Sequence, residues 1–197
     1  MKTTTKFWKL LPVAAAALAL GGCGGDGSDD SDTPPSSGSI VDCFTVNKTV
    51  NFSLETSPAH PAGANRSTTG PMTYNGQAVT GQTVFYSNGA TVSNYWMVTS
   101  AGVTFIASVL NNSTVVPDGT FLPKNMQPGQ TAVDSSNNIT TFIGFETVSL
   151  AGKTFTNTCH ISGVDVEGNA GNAWYAPGYG IIKNVQGAET SQYNGDL

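Results

Sequence analysis

Charge is scarce in this chain. Asp, Glu, Lys and Arg make up 11% of its 197 residues, 8 cations against 13 acids. Beyond residue 22 the cations are Lys48, Arg66, Lys124, Lys153 and Lys183, each standing alone. Nucleic-acid binding needs clustered cations to neutralise phosphates, so no nucleic-acid partner is expected. Histidine is scarcer still, with 2 residues, His60 and His160. His60 sits in Ser57-Pro58-Ala59-His60-Pro61, and neither histidine has a nucleophile or an orienting acid recognisable from spacing. There is no Gly-x-Ser-x-Gly elbow. Paired carboxylates could come only from Glu55, Asp118, Asp134, Glu146, Asp165 or Glu167, and none of these forms a recognisable catalytic pair. The expectation is a protein that is not an enzyme and carries no cofactor. A metal site is poorly supported as well. Cys159 and His160 are adjacent, which on a strand sends their side chains to opposite faces. Asp165, Glu167, Asn169 and Asn172 are rich enough in oxygen for a calcium loop but low in charge, and read as a solvated turn.

Cysteine is also sparse, with 3 residues, and each has an assignable role. Lys2, Lys6 and Lys9 precede the apolar run 10–20, which is too short to span a bilayer as a helix. The run ends in Leu20-Gly21-Gly22-Cys23. A leucine, two small residues and a cysteine in this position resemble the lipobox of bacterial lipoproteins. That resemblance implies that residues 1–22 are a signal peptide and that Cys23 is lipidated and becomes the first mature residue. Cleavage would leave 5 cations against 13 acids, and Asp26, Asp29, Asp30 and Asp32 lie in one short stretch. Residues 23–39 read as the lipidated N-terminus and a disordered acidic tether with an r.m.s. span of about 20–25 Å. In lipoproteins an aspartate at the second mature position commonly signals retention at the inner membrane. Gly24 stands there instead, which favours the outer membrane of a diderm bacterium. The membrane is thus the expected partner, reached through an N-terminal lipid anchor.

With Cys23 assigned to lipid, Cys43 and Cys159 remain. An even number in an oxidising compartment suggests one disulfide between them.

Residues 40–190 read as a single β domain, with 191–197 as a frayed tail. Two-residue alternation recurs where helical periodicity does not. Phe44, Val46, Val50, Phe52 and Leu54 alternate with polar residues and predict a half-buried strand. Asn75-Gly76 and Asn88-Gly89 sit between strand-like flanks, the strongest short hairpin signal. Residues 103–110, 139–150, 153–164, 173–175 and 180–185 supply further strands. Residues 111–130 carry Pro117, Pro123 and Pro128 and read as a long connection, too proline-rich for a ladder. The implied fold is all-β, a curved antiparallel sheet forming a half-barrel or open barrel, with a β-sandwich as the alternative.

Two segments carry more than periodicity. Residues 145–159 contain Glu146-Thr147-Val148 and Ala151-Gly152-Lys153-Thr154-Phe155 within a longer run, and residues 174–183 begin Trp174-Tyr175-Ala176-Pro177-Gly178-Tyr179-Gly180. Together they resemble elements of the TapB-like exported proteins, a group of bacterial envelope lipoproteins, most clearly over residues 140–185. Leu150 stands where proline often precedes the alanine-glycine turn. The resemblance implies an open, strongly curved sheet like those of lipoprotein-carrier domains, and no enzymatic activity.

Gly178 and Gly180 are the glycines such a turn requires. Trp174 and Tyr175 are adjacent on a strand, so one ring is expected to pack inward and the other outward. Trp96, Trp174, Tyr175 and Tyr179 are the aromatics that could either fill a corner or line a ligand groove. Two functions follow. The first is binding of an apolar or amphipathic ligand, a lipid or a lipoprotein, on the concave face. The second is a structural or interaction lipoprotein that meets a protein partner through the connections 55–70 and 111–130. A filled sheet interior separates the second from the first.

Overall fold

The computed structural model describes residues 38–58 and 63–197. The expected signal peptide, Cys23, most of the expected tether and His60 lie outside the described residues.

The described chain opens with a single turn of helix, α1 (Ile40–Phe44). Ser39 caps it, accepting from the Val41 N–H, while Asp42 accepts from the Ser39 N–H at 3.1 Å. Ile40, Cys43 and Phe44 are buried together, the spacing expected for one helix face. Phe44 and Val46 therefore do not belong to a strand. The Ser39–Asp42 capping box overrides their alternation, and the first strand begins only at Val50.

Thirteen strands follow: β1 (Val50–Ser57), β2 (Ala64–Tyr74), β3 (Gln77–Tyr86), β4 (Thr91–Val98), β5 (Gly102–Leu110), β6 (Thr114–Pro117), β7 (Phe121–Pro123), β8 (Thr131–Val133), β9 (Ile139–Leu150), β10 (Lys153–Val164), β11 (Ala170–Ala176), β12 (Gly180–Gln186) and β13 (Glu189–Asp196). They form one antiparallel sheet in the order β6-β5-β4-β3-β2-β1-β13-β12-β11-β10-β9-β8, with β7 paired to β5. The sheet is curved and does not close on itself, which makes the fold an open barrel rather than a sandwich.

Local chemistry explains the hairpins and the curvature. Asn75 (φ 48°) and Gly76 (φ 78°) make the tight β2–β3 turn that Asn-Gly favours, and Ala151 (φ 46°) with Gly152 (φ 77°) makes the β9–β10 turn. Register shifts interrupt β1 between Phe52 and Leu54, β10 between Phe155 and Thr158, and the β4–β5 and β11–β12 ladders. Each bulge bends its strand and increases its twist, so the sheet curls.

Two expected connections are shorter than their composition suggests. The segment 55–70 is mostly strand, since β1 runs to Ser57 and β2 starts at Ala64. The segment 111–130 contains β6 and β7, with Pro117 and Pro123 at their ends. Proline is tolerated there because these strands pair on one side only.

The tail expected to fray is strand β13. It pairs with β1 on one side and β12 on the other, and its Tyr193 is buried against Phe52 and Phe155. One inserted tyrosine and two ladders anchor a segment whose other residues are mostly polar.

Candidate functional site

The concave side of the sheet is where a ligand would have to sit, and it is filled. Helix α1 enters the opening and packs Ile40, Cys43 and Phe44 against Trp96, Phe105, Leu122, Phe142, Ile161 and Tyr175. Cys43 is joined to Cys159 on β10, 116 residues away, with Cα atoms 5.7 Å apart. The helix is thus fixed covalently to the wall it covers.

The Phe44 ring lies at the centre. It meets Trp96 and Phe105 edge-on, at centroid distances of 6.2 and 5.6 Å, and lies tilted on Tyr175 at 4.2 Å. Trp96 is fully buried, and its indole N–H donates to the Phe44 carbonyl at 2.9 Å, a partner that a buried indole requires. Tyr175 is also buried, and burial, aided by the charge of Asp118, pushes its phenol well above the ordinary range. Trp96 and Tyr175 are therefore core residues in this structure and line no groove.

The turn after them locks the helix from its other end. The Gly178 N–H donates to the Thr45 carbonyl at 2.9 Å, tying the β11–β12 turn to the residue that ends α1. Gly178 and Gly180 both have φ 77°, a region where a side chain is strained. Gly180 has a second constraint: a Cβ there would lie 2.8 Å from Gln82 Oε1 and 2.9 Å from Thr69 Cγ2. Gln82, on β3, reaches across the concavity to β12. Its Oε1 accepts from the Ile181 N–H at 2.7 Å, and its Nε2 donates to the Ile181 carbonyl and to Ser67 Oγ, each at 2.8 Å.

On the outer face the side chains converge differently. Trp174 points outward and stacks on His160, with centroids 4.2 Å apart and planes at 19°. Its indole N–H donates to Glu146 Oε2 at 2.8 Å, while His160 Nδ1 is 2.7 Å from Glu146 Oε1. His160 Nε2 meets Asn172 Oδ1 at 2.9 Å, and Lys183 Nζ lies 4.5 Å from the centre of the Trp174 ring. Four strands, β9 to β12, are pinned by this cluster. The expectation that His160 has no partner is therefore incorrect. Glu146, Asn172 and His160 are far apart in sequence, and only the antiparallel registers of β9–β10 and β10–β11 bring them together. Both imidazole nitrogens are engaged by acceptors, and no hydroxyl or thiol is among their partners. The arrangement orients an imidazole but supplies nothing for it to deprotonate.

Burial alone would raise the Glu146 carboxyl. The hydrogen bonds from Trp174 and His160, together with the charges of His160 and Lys183, outweigh it and hold the group below its ordinary 4.5. A depressed carboxylate adds stability that is full above its unfolded pKa and is lost as pH falls through the folded one. Glu146→Gln is therefore expected to lower the urea midpoint near neutrality, and the gap to wild type should narrow between about pH 6 and pH 3. A gap that stays constant with pH would show that the carboxylate charge contributes nothing.

Tyr179 packs on a second core cluster that contains the buried rings of Phe52, Phe155 and Tyr193. Lys153 Nζ lies 4.3 Å from the Tyr179 ring centre, donates to the Tyr179 hydroxyl and forms an ion pair with Asp196 at 2.7 Å. Desolvation would lower the Lys153 ammonium, but these partners outweigh it and raise it. The cation that the rings of Phe155, Tyr179 and Tyr193 could accept is thus already supplied by the chain itself.

Asp165 is committed to its own turn, accepting from the Glu167 N–H at 2.6 Å, and Asn172 is committed to His160. Of the side chains considered for calcium, Asn169 turns its amide onto Asp165, with Nδ2 3.3 Å from Oδ2, while Asn172 faces His160 instead. Among the described residues no group of three His, Cys, Asp or Glu side chains could hold a metal ion. Two open surface hollows flank the barrel. One is lined by Asp42, Thr45, Asn47, Lys48, Pro177 and Gly178, and the other by Asn51, Arg66, Ser67, Thr68 and Leu197.

Fold and site together define a class: an open, curved β-barrel whose concavity is plugged by its own disulfide-tethered helix. No family model, curated protein or solved structure matches this chain.

Proposed function

We propose that the chain is a non-enzymatic lipoprotein of the cell envelope, anchored through Cys23 to the outer membrane of a diderm bacterium, and that it acts through its outer surface as a structural or interaction component. One observation carries this reading: the concave face, where a carrier would hold an apolar ligand, is occupied by α1 and the rings around Phe44. The lipobox-like Leu20-Gly21-Gly22-Cys23 supports the anchor, and the resemblance of residues 140–185 to TapB-like exported proteins supports the envelope setting. Support for the absence of catalysis is the engagement of both His160 nitrogens by Glu146 and Asn172.

The carrier reading requires α1 to leave the concavity, and the Cys43–Cys159 bridge opposes that. Native mass spectrometry separates the two. The mature protein, incubated with an extract of envelope lipids and sprayed from a volatile buffer, is expected to show only its own acylated mass. A reproducible non-covalent lipid adduct, lost on organic extraction, would restore the carrier reading.

A further inference from the structure

The exposed large apolar side chains are unevenly placed. Among the described residues they are Val115, Phe121, Val133, Ile139, Ile143, Val166 and the terminal Leu197. Five of these seven lie on β6 to β9, the strands that border the opening of the barrel. Val133 and Ile139 are direct cross-strand partners, and Thr131 pairs with Thr141 next to them. Burial along β9 alternates from Ile139 to Ile143, so Ile139, Thr141 and Ile143 share the outer face with Val133. Phe121 belongs to β7, which lies alongside β8 across the opening. Of the carboxylates within this stretch, Glu146 is turned to His160 and Trp174, and the other two to their own loops. Asp118 accepts from the Gly119 and Thr120 N–H groups, and Asp134 from those of Ser136 and Asn138.

The chain also enters the fold on this side. Gly38 lies against the Phe145 ring of β9, where a Cβ would come within 3.1 Å, and Ser39 Oγ donates to the carbonyl of Lys124, which follows β7. Cys23 lies 15 positions before Gly38. The coil expected from the composition of that stretch has an r.m.s. span of about 20 Å, whereas a strand the length of β9 extends about 40 Å. A lipid at Cys23 therefore holds the wall that the chain leaves from close to the bilayer.

We propose that the open side of the barrel, β6 to β9, lies on the lipid surface, with Val133, Ile139, Ile143 and Phe121 entering the headgroup region. The occupant of this apolar face is thus a bilayer. The opposite wall, around β1 to β3 and β13, is left for a protein partner. This inference rests on the acylation of Cys23. Singly placed exposed apolar residues need no explanation, but a cross-strand set beside the exit of a lipidated segment does.

The test uses mature, acylated protein in vesicles of phosphatidylethanolamine and phosphatidylglycerol with brominated acyl chains. Tryptophan is introduced by Val133→Trp or Ile143→Trp, and by Glu55→Trp on β1 in the middle of the strand order as control. Side chains that enter the interface reach about 5–10 Å into it. Bromine is therefore expected to quench the first two variants at least about twofold more than the control. Equal quenching in acylated, folded protein would overturn the proposal and leave the lipid anchor intact. A mature mass without acyl chains would overturn both. Preferential quenching of Glu55→Trp would place the opposite wall on lipid and overturn the orientation.

Discussion

Reducing the Cys43–Cys159 bridge is expected to lower the melting temperature by about 10–15 °C. Two effects act in the same direction. A bridge that closes a loop of 116 residues removes denatured-state entropy worth about 4–5 kcal/mol in the chain-entropy model. For a domain of this size each kcal/mol shifts the midpoint by about 2–4 °C. Reduction also frees the covalent link between α1 and β10, and a helix of five residues has no stability of its own. Phe44 would then contribute its packing on Trp96 and Tyr175 only as long as the helix stays docked. Thermal melts followed by circular dichroism, with and without reductant, check the first effect. The emission of Trp96, which is shielded from water by Phe44, checks the second: a red shift at temperatures below the melt would show the plug leaving before the sheet unfolds. A midpoint that does not move would show that packing and the Gly178–Thr45 hydrogen bond hold the helix without the bridge. The same melts on Cys43→Ala/Cys159→Ala separate loss of the bridge from side reactions of the reductant.

What the sequence could reveal follows from the range of each signal. The hairpins at Asn75-Gly76 and Ala151-Gly152 are local, since two residues with positive φ declare them, and β9 and β10 fall at the residues the alternation marks. The disulfide was legible through arithmetic alone, because three cysteines with one assigned to lipid leave a pair. Other features depend on partners distant in sequence. The strand β13 was hidden because seven of its eight residues lack the apolar alternation that signals burial, and Tyr193 carries its anchoring. Helix α1 was hidden because its apolar residues also fit a strand period, and the decisive signal was the polar pair Ser39 and Asp42. His160 looked isolated because Glu146 and Trp174 reach it only through strand register. A heuristic that paired polar residues across the 139–150 and 153–164 hairpin would have brought Glu146 near His160.

The same limit hid Gln82, and its replacement is the second large effect. Gln82 is almost wholly buried, although glutamine is rarely so, and nothing adjacent to it announces why. Its amide completes a chord between β3 and β12, which are separated in the sheet by β2, β1 and β13 and in sequence by 99 residues. The amide satisfies the backbone N–H and carbonyl of Ile181, which precedes the first β12–β13 pair at Lys183. Gln82→Met keeps much of the volume and removes the polar atoms. It leaves the Ile181 N–H and C=O and Ser67 Oγ without these partners, each worth about 1–3 kcal/mol when buried and unpaired. The expected loss is about 3–5 kcal/mol, or roughly 10 °C in the midpoint. Gly180→Ala should also destabilise, because its Cβ would press on Gln82 Oε1 in addition to straining φ. The two substitutions share one contact, so the double variant is expected to lose less than the sum of the singles. Strict additivity would assign the Gly180 effect to backbone strain alone. A neutral Gln82→Met would mean that the bulges and the plug set the curvature without a chord across it. Protection of the Ile181 amide from hydrogen exchange reads this contact directly, and it should fall in Gln82→Met even where the midpoint shift is partly offset by repacking.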